Sequence, residues 1–307
     1  MIVLWGLMED SPLAAVAERL TVKGVPWLFV DQRETLECSL RIVLDQNIDG
    51  ELVTPDGAHP ISSIAALYWR PYDFEQVLGF EPADRGGEAW RHAAAFEDSM
   101  ALLAQHSQAK VVNRPSSIGS NNSKPHQLAV LRRAGFSIPA TLISSDPESV
   151  LRFWRQHKSI IFKSISSCRS IVSRLDEEDL ESLTAITCCP TQFQQYIPGT
   201  DHRVHVVGHR VFAHRITSAG DDYRYSSDTA IDAVGLPENV AALCVEATKQ
   251  LGLEFSGIDL RRTPDDEWFC FEMNPSPGFT YFDREHTICD ALVQHLSAGP
   301  VSDRVAR

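Results

Sequence analysis

The chain has 307 residues, of which 43% are hydrophobic and 22% are charged, and its net charge at pH 7 is −13. These shares are typical of a soluble globular protein with a sizeable core, divided into two or three subdomains. The acidic balance argues against a protein that binds DNA or RNA over a broad surface, because such surfaces cluster Lys and Arg against the phosphates.

Strand and helix patterns alternate at the start of the chain. Residues 2–5 form an apolar strand pattern, and Asp10-Ser11-Pro12 then predicts a helix start, with a capping side chain and with proline at the first helical position. The helix is expected to end near Gly24, and residues 26–30 form the next strand. This β-α-β order predicts a small parallel sheet with helices packed on it.

The apolar start is predicted to be structural. Residues 1–7 have no basic flank, and Glu9 and Asp10 follow at once, so we expect a first strand and not a signal peptide. The sequence also contains no apolar run long enough to span a membrane. A membrane partner is therefore not expected.

The middle of the chain continues the alternation. Residues 65–71 form a strand pattern that carries Arg70 near its end, and residues 88–105 form a long helix with an apolar side. A short strand over 110–113 leads into a polar, Ser/Asn-rich loop, which predicts a boundary between subdomains. A helix over 124–134 follows this loop.

The second half of the chain is predicted to contain hairpins. We expect a strand over 159–162 with a hairpin partner over 170–173, and another strand over 193–197. Residues 204–212 alternate around the two-residue link Gly208-His209, which predicts a tight hairpin with a type II′ turn. Helices over 237–251 and 288–296 complete the pattern.

A last hairpin is predicted near the carboxyl end. The strand patterns 255–261 and 268–273 flank a polar, turn-rich segment over 263–267. The second strand runs into a Pro-Ser-Pro-Gly sequence, which stops it sharply and allows backbone to approach a ligand closely. This hairpin carries the most specific chemical signal of the chain.

Oxygen-bearing side chains are expected to converge on this hairpin. Glu272 and Asn274 are two residues apart, so they project from one face of the strand, and the same periodicity puts Trp268 and Cys270 on their side. Asp259 is expected beside Glu272 across the ladder. Carboxylate and amide oxygens suit Mg²⁺, which commonly bridges protein oxygens and substrate phosphates. The alternative is that Asp259 and Glu272 are ordinary surface positions of a half-solvated sheet.

Cationic side chains at the ends of elements are candidates for binding phosphate. Lys124 opens a helix and Lys163 ends an apolar strand, although a lysine in such a place is more commonly a solvated surface charge. Arg203 and Arg215 are expected to flank one site from paired strands, and Arg224 lies in a polar loop. Salt bridges with the abundant Asp and Glu are the alternative for each arginine.

The cysteines indicate neither a metal site nor a disulfide framework. Seven are present, an odd number, and no two have the C-x-x-C spacing, so reduced thiols in the cytoplasm are expected. Cys168, Cys289 and His286 do not form a Ser/Cys–His–Asp set. Catalysis by a side-chain nucleophile is therefore disfavoured.

Taken together and in order, these segments resemble the ATP-grasp ligases. The resemblance is closest to the RimK-like group, which includes ribosomal-protein glutamate ligases and the graspetide (microviridin-type) peptide ligases, and it is strongest over 113–296. It rests on the segments Asn113-Arg114-Pro115, Lys124, Phe162-Lys163, Gln194-Gln195-Tyr196-Ile197-Pro198-Gly199, Asp201-His202-Arg203-Val204, Gly257-Ile258-Asp259 and Glu272-Met273-Asn274-Pro275-Ser276-Pro277-Gly278.

The resemblance implies a fold and a domain order. The fold class is α/β, with α+β character in the carboxyl-terminal half, and ATP is held between two α+β subdomains. The implied domains are a small parallel-sheet amino-terminal domain over 1–112, a central subdomain over 113–192 and a carboxyl-terminal subdomain over 193–307. Two positions depart from the family pattern: residues 166–169 replace a glycine-rich loop, and Gln195 stands where Glu is common.

The resemblance also implies the role of each site residue. Phosphate charge would be neutralised by two arginines, and the metal ion would be Mg²⁺. By position, the implied assignments are Lys124, Lys163, Gln194, Gln195, Tyr196, Ile197 and Asp201 for ATP, Asp259, Glu272 and Asn274 for the metal, Arg203 and Arg215 for catalysis, and Arg70, Arg224 and Ser276 for the substrate.

The implied activity is that of an ADP-forming ligase. A substrate carboxylate would form an acyl phosphate and then an amide or ester, with ATP and Mg²⁺ as cofactors and a precursor peptide as the expected substrate. A ligase of a small metabolite or free amino acid is one alternative, and a non-catalytic ATP-binding module is another. Such ligases often form homodimers, but no feature of this sequence marks an interface.

Overall fold

The computed structural model of the chain describes residues 1–45, 48–119, 123–163, 173–218 and 229–299. None of the helices in these ranges has the length and apolar character needed to cross a membrane. The helices are α1 (Ser11–Val22), α2 (Phe74–Leu78), α3 (Glu88–His106), α4 (Pro115–Ile118), α5 (Lys124–Arg133), α6 (Pro147–His157), α7 (Glu238–Gln250) and α8 (Thr287–Ser297). The strands are β1 (Ile2–Gly6), β2 (Trp27–Asp31), β3 (Ser39–Leu44), β4 (Ile48–Thr54), β5 (Gly57–Pro60), β6 (Ala66–Trp69), β7 (Lys110–Val112), β8 (Thr141–Ser144), β9 (Ile160–Lys163), β10 (Ser173–Arg174), β11 (Thr191–Gln195), β12 (Thr200–Val207), β13 (Arg210–Ser218), β14 (Thr229–Val234), β15 (Phe255–Arg262) and β16 (Trp268–Asn274).

Two compact units divide the chain. The first unit consists of residues 1–118, 252–255 and 276–307, and the second of residues 119–251 and 256–275. The chain therefore leaves the first unit and returns to it more than once. The three-part division at residues 112 and 192 stays a prediction.

The first unit contains the predicted parallel sheet. Its strand order is β2-β1-β6-β7, and each neighbouring pair is parallel, as the β-α-β pattern predicts. Trp5 and Trp69 stack in the core with ring centroids 6.3 Å apart, and Phe96 from α3 packs on Trp5. The apolar side of α3 is thus buried against the sheet.

The helix start at Ser11 differs from the expectation in one respect. Asp10 occupies the cap position, but its side chain makes no capping hydrogen bond to α1. Its carboxylate instead binds the Arg70 guanidinium and accepts a hydrogen bond from the Tyr72 hydroxyl at 3.2 Å. A buried guanidinium is a stronger partner for a carboxylate than a helix amide, so the predicted side-chain cap of α1 does not form.

A second sheet of the first unit was not predicted. Strands β3, β4 and β5 form an antiparallel sheet in that order. The alternation of polar and apolar residues covers only residues 39–42 of β3 and stops at Val43 and Leu44, which are both exposed, so the strand pattern is short. Leu52 of β4 is fully buried and joins the core that contains Trp5.

The second unit contains two sheets. The first has the order β10-β9-β11-β8 with antiparallel neighbours, and Phe193 and Ile160 bury their side chains in a core with Val150 of α6. The second has the order β14-β13-β12-β15-β16. The predicted hairpin joins β12 and β13 at Gly208, whose φ of 57° agrees with the expected turn.

Candidate active site

The acidic hairpin forms as predicted. Asp259 of β15 pairs in register with Glu272 of β16, and Gly257 pairs with Asn274. Residues paired in an antiparallel ladder share a face, and residues two apart in one strand do so as well. Asp259, Glu272 and Asn274 therefore project from one face of the sheet.

A β-bulge interrupts the alternation just before Glu272. Leu260 pairs with Cys270, so Phe271 is an extra residue in β16. Cys270 is fully buried on the core side with Leu260, and Trp268 lies on that side too, with its ring 4.7 Å from the His202 ring. The expectation that Trp268 and Cys270 share the face of Glu272 was wrong, because the extra residue reverses the alternation.

Arg203 is bound directly to the acidic hairpin. Its Nη1 lies 2.7 Å from Oδ1 of Asp259, and the arginine side chain is only 8% exposed while the carboxylate is 40% exposed. The guanidinium offsets the repulsion between the neighbouring Asp259 and Glu272 carboxylates. The partly open carboxylate face remains accessible to a cation.

Arg215 lies on the other face of the same sheet. Arg203 pairs in register with His214, and Arg215 is paired with His202, so the two arginines point in opposite directions. Arg215 makes a surface ion pair with Asp232 at 2.8 Å. The register therefore separates the two arginines, against the expectation that they flank one site.

The two candidate phosphate-binding lysines are buried. Lys124 is 9% exposed and Lys163 is 8% exposed. The alternative to a phosphate-binding role was that each lysine is a solvated surface charge, and this degree of burial argues against that alternative. A buried ammonium requires hydrogen-bond acceptors or an anion.

Gln127 connects α5 to the acidic strand, although no motif or periodicity of the sequence indicated this role. Its Nε2 donates to the carbonyl of Met273 at 2.5 Å, and its Oε1 accepts from the Met273 amide at 2.9 Å. Met273 lies between Glu272 and Asn274, so this side chain fixes the backbone that carries both. Lys124 is one turn earlier on the buried face of the same helix.

The predicted hinge continues from β11. The Gln195 amide donates to Ala140 at 2.8 Å, and the Tyr196 amide donates to Ser159 at 3.0 Å. Gln194 is fully buried, and its Nε2 donates to Thr141 Oγ1 at 3.1 Å. Gln195 lines a cleft of about 750 Å³ that α5 and β8 help to enclose.

Arg261 fixes this hinge, although no motif of the sequence indicated such a role. Its Nη1 donates to the carbonyl of Ile197 at 2.9 Å, and its Nε and Nη2 bind both oxygens of Asp201 at 2.6 and 2.9 Å. The same guanidinium lies 5.2 Å from the centre of the Phe271 ring. Asp201 is therefore held against the hinge by a bidentate ion pair.

The predicted substrate residues fall in different parts of the chain. Arg70 is buried in its ion pair with Asp10, and its Nη1 donates to the carbonyl of Pro277 at 3.3 Å. Ser276 is half-buried and belongs to the first unit, as Arg70 does. Arg224 and the loop 166–169 lie outside the described residues.

The thiols of Cys289 and Cys270 are unsuited to nucleophilic chemistry. Burial raises the pKa of the Cys289 thiol to about 12, and it raises the pKa of Cys270 well above its ordinary value. A thiol with such a pKa holds its proton at neutral pH, and the thiolate is the nucleophile. Cys168 is outside the described residues.

The oxygen atoms of the hairpin fit a magnesium ion. Within the described ranges no group of three or more His, Cys, Asp or Glu side chains is arranged to hold a metal. The hairpin offers two carboxylates and one amide on one face. Such a set matches Mg²⁺, which takes a few protein oxygens and leaves positions for water and phosphate.

Comparison with known proteins decides the family. A profile of the RimK-like ATP-grasp domain matches residues 121–295, more than half of the chain. The chain belongs to the RimK-like ATP-grasp family. The matched residues include the buried lysines, the hinge and the acidic hairpin.

This RimK-like ATP-grasp protein has curated relatives and solved structural neighbours. A probable alpha-L-glutamate ligase of Pasteurella multocida is 29% identical over 188 residues, which are 56% of this chain and 59% of that ligase. The chain spans about half the length of the curated relatives it matches. Those relatives are named as ligases or synthases.

Solved structures resemble nearly the whole RimK-like chain. The ATP-grasp ligase PsnB, complexed with a phosphomimetic variant of its minimal precursor, Mg and ADP, is 27% identical with a TM-score of 0.78, and 97% of each chain is covered. The macrocyclase MdnC of Microcystis aeruginosa, bound with precursor peptide MdnA, has a TM-score of 0.82 at 21% identity, covering 97% of this chain and 99% of that one. The latter likeness concerns the fold alone, and both confirm the ATP-grasp architecture.

Proposed function

We propose that the protein is an ATP-dependent, ADP-forming carboxylate ligase. The observation that carries the proposal is the convergence of Asp259, Glu272 and Asn274 on one sheet face, with Arg203 bound to Asp259. A site of this kind holds a divalent cation beside a cationic group that faces phosphate oxygens. The family of the chain supports the same chemistry.

The proposed reaction has two steps. An oxygen of the substrate carboxylate attacks the γ-phosphorus of ATP, the bond from that phosphorus to the β–γ bridging oxygen breaks, and ADP leaves with the electron pair. An amine or hydroxyl then attacks the acyl carbon of the resulting acyl phosphate. Inorganic phosphate departs with the second electron pair, and the attacking group loses its proton.

Each described site residue has a proposed part in this reaction. Asp259, Glu272 and Asn274 would hold Mg²⁺, which would offset the negative charge of the phosphates. Lys124 and Lys163 would bind the phosphates, and Arg203 would face the transferred group. Gln194, Gln195, Tyr196, Ile197 and Asp201 would hold the nucleoside at the hinge that Arg261 fixes.

A peptide is the substrate that we favour. The support is the similarity over 96% of the chain to PsnB, which was solved with the precursor peptide PsnA2 and AMPPNP and is 26% identical. A free amino acid is the second candidate, because the relative from Pasteurella multocida is named as a glutamate ligase. In either case Arg70, Ser276 and Arg224 are the proposed substrate-side residues.

Phosphate release tests the activity. Purified protein with Mg²⁺-ATP is incubated with an acidic peptide, with glutamate or without a carboxylate, and ADP and phosphate are measured. The proposal expects both products to rise with a carboxylate substrate, and added hydroxylamine to yield a hydroxamate. Thermal stabilisation by ATP without turnover on any carboxylate would instead support a non-catalytic nucleotide-binding module.

Glu272→Ala tests the metal site. The variant should lose at least about a hundredfold in turnover, because one metal ligand is removed, while its unfolding temperature stays close to that of the wild type. Glu267→Ala is the matched control, since Glu267 is exposed in the turn of the same hairpin. Equal turnover in the two variants would contradict the assignment.

A further inference from the structure

Strand β3 forms one edge of the antiparallel sheet β3-β4-β5. It pairs with β4 on one side, and no other strand of the described ranges pairs with its second side. Helix α3 reaches the beginning of the strand, where Nε2 of His92 lies 2.9 Å from the carbonyl oxygen of Cys38. Over residues 41–45 the described chain offers no third segment that bonds to the strand backbone. An open edge of this kind can pair with a further strand.

The open part of the edge carries apolar side chains in solvent. Val43 is 54% exposed and Leu44 is 65% exposed. Among the exposed large hydrophobic residues that the structure describes, these two are the only consecutive pair. They are flanked by Arg41 and Asp45, whose charges have opposite signs. Edge strands are commonly protected by charges that repel a second copy, and this pair of charges does not.

A second copy of β3 complements the first when the two strands run antiparallel about Val43. In this register Val43 lies opposite its own counterpart, and Arg41 of each copy lies opposite Asp45 of the other. Arg41 also binds Glu51 of β4 at 3.2 Å, so its guanidinium would lie between two carboxylates. Opposite charges paired across strands stabilise a sheet, and the twofold symmetry forms both pairs at once.

The same register covers the exposed leucine. Leu44 of one copy lies opposite Ile42 of the other, on the face where Ile42 packs against the core of the first unit. Within its own chain Leu44 is paired with Ile48, which packs against the same core. Leu44 would therefore lie between two isoleucines and lose its contact with water.

The charges favour this register over its neighbour. If the twofold axis passed through Ile42 instead, Asp45 would lie opposite Ser39, and Arg41 would lie opposite Val43. Neither charge would then have a partner on the other copy. Register in a sheet is specified by such side-chain patterns.

We propose that β3 is a homodimer interface, at which two copies of the chain join their three-stranded sheets into one antiparallel sheet of six strands. Main-chain hydrogen bonds supply affinity in this mode of association, and the facing side chains supply specificity. The inference does not depend on the proposed ligase activity, because all of its residues belong to the first unit.

Sedimentation velocity of the full chain at increasing protein concentration tests the interface. The wild type should form dimers whose fraction rises with concentration. Val43→Lys should raise the dissociation constant of the dimer by about tenfold or more, because two ammonium groups would face each other across the axis. Val22→Lys is the matched control, since Val22 is an exposed valine at the end of α1, and it should keep the wild-type dissociation constant.

Charge reversal tests the register. In Asp45→Arg each Arg41 faces a second arginine, so the dissociation constant should again rise by about tenfold or more. The double variant Arg41→Asp/Asp45→Arg restores opposite charges and should return to within about threefold of the wild type. All of these positions are exposed, so the unfolding temperatures of the monomers should stay close to that of the wild type.

Three results would overturn the inference. The first is a wild type that stays monomeric at every concentration. The second is a dimer that tolerates both Val43→Lys and Asp45→Arg, because its interface would then lie elsewhere. The third is a double variant that dimerises as weakly as Asp45→Arg, because Arg41 would then not face Asp45.

Discussion

At the scale of single residues, the surroundings decide what a charged side chain does. Arg203 and Arg215 come from paired strands, but one is buried against Asp259 and the other is half-exposed beside Asp232. A buried guanidinium beside a partly open carboxylate acts at low dielectric, where it stabilises added negative charge strongly. A surface ion pair is screened by solvent and contributes little.

Replacing each arginine by alanine should separate these roles. Arg203→Ala should lower turnover by about a hundredfold or more, because a preorganised cation is lost from the site. Arg215→Ala should stay within about twofold of the wild type and lose less than about 1 kcal/mol of unfolding free energy. Steady-state ADP release and thermal unfolding measure both effects, and a larger loss of turnover in Arg215→Ala would refute the assignment by face.

At the scale of elements, side-chain amides hold separate segments together. In three pairs, the side-chain carboxamide of one residue brackets a second residue: it donates a hydrogen bond to the backbone carbonyl of that residue and accepts one from its backbone amide. The bracketed residue cannot move along the strand direction without breaking two hydrogen bonds. The pairs are Gln32 with Tyr72, Asn113 with Phe255, and Gln127 with Met273.

The Asn113 bracket explains part of the Asn-Arg-Pro motif. Asn113 holds Phe255 directly before the residues that lead to Asp259, and its Oδ1 also accepts from the Glu254 amide. Arg114 donates to four carbonyls at and after the end of α3, including those of Ala104 and Ala109. The side chains of Asn113 and Arg114 therefore stabilise the fold by hydrogen bonds to backbone groups.

Gln127→Leu tests the importance of the bracket at Met273. Two buried backbone groups lose their partners, at a cost of roughly 1–3 kcal/mol each, so the unfolding temperature should fall clearly. The backbone that carries Glu272 and Asn274 also loses its anchor, so the Mg²⁺ concentration for half-maximal turnover should rise.

The control for this prediction is Gln76→Leu, the same change at an exposed helical position. It should leave both the unfolding temperature and the Mg²⁺ requirement near those of the wild type. A Gln127→Leu protein that is destabilised but has an unchanged Mg²⁺ requirement would show that the bracket serves folding alone.

At the scale of the whole molecule, the stability of the folded chain depends on the protonation of a buried carboxyl group, that of Glu97. Glu97 of α3 accepts a hydrogen bond from Gln32 at 2.9 Å. Burial, the largest cause, raises the pKa of Glu97 to about 7, because removing the carboxylate from water disfavours its charged form. The same Gln32 brackets Tyr72, so Glu97 is linked to the segment that follows β6.

The sign of this shift predicts a pH dependence of stability. A raised pKa in the folded state favours the neutral acid, so the stabilisation is complete below the unfolded pKa of about 4.3 and is lost as the pH rises through about 7. Glu97→Gln keeps an acceptor for Gln32 and removes the titrating group. The difference in unfolding temperature between this variant and the wild type should therefore be about 1–3 °C more favourable to the variant at pH 8 than at pH 5. Glu88→Gln at the exposed start of the same helix is the control, and an equal pH response in both variants would contradict the prediction.

The sequence by itself determined the local elements and the core of the candidate site. Alternating and helical periodicities predicted β1, α3, the β12–β13 hairpin and the pairing of Asp259 with Glu272, and the structure confirms each. These features depend on residues close together in the chain, where backbone geometry fixes which side chains share a face. The order of the motifs was sufficient to identify the RimK-like ATP-grasp family.

Only the tertiary structure decided features that depend on partners distant in sequence. The bulge at Phe271 turned Cys270 away from Glu272, the strand register separated Arg215 from Arg203, and no periodicity could reveal either. Gln127 and Asn113 each bracket a residue more than a hundred positions away in the chain, and Gln32 brackets Tyr72 on a different segment. Local propensity could therefore not predict these hydrogen bonds. A side chain's burial and its hydrogen-bond partners are properties of the folded chain, because packing brings together groups that the sequence keeps apart.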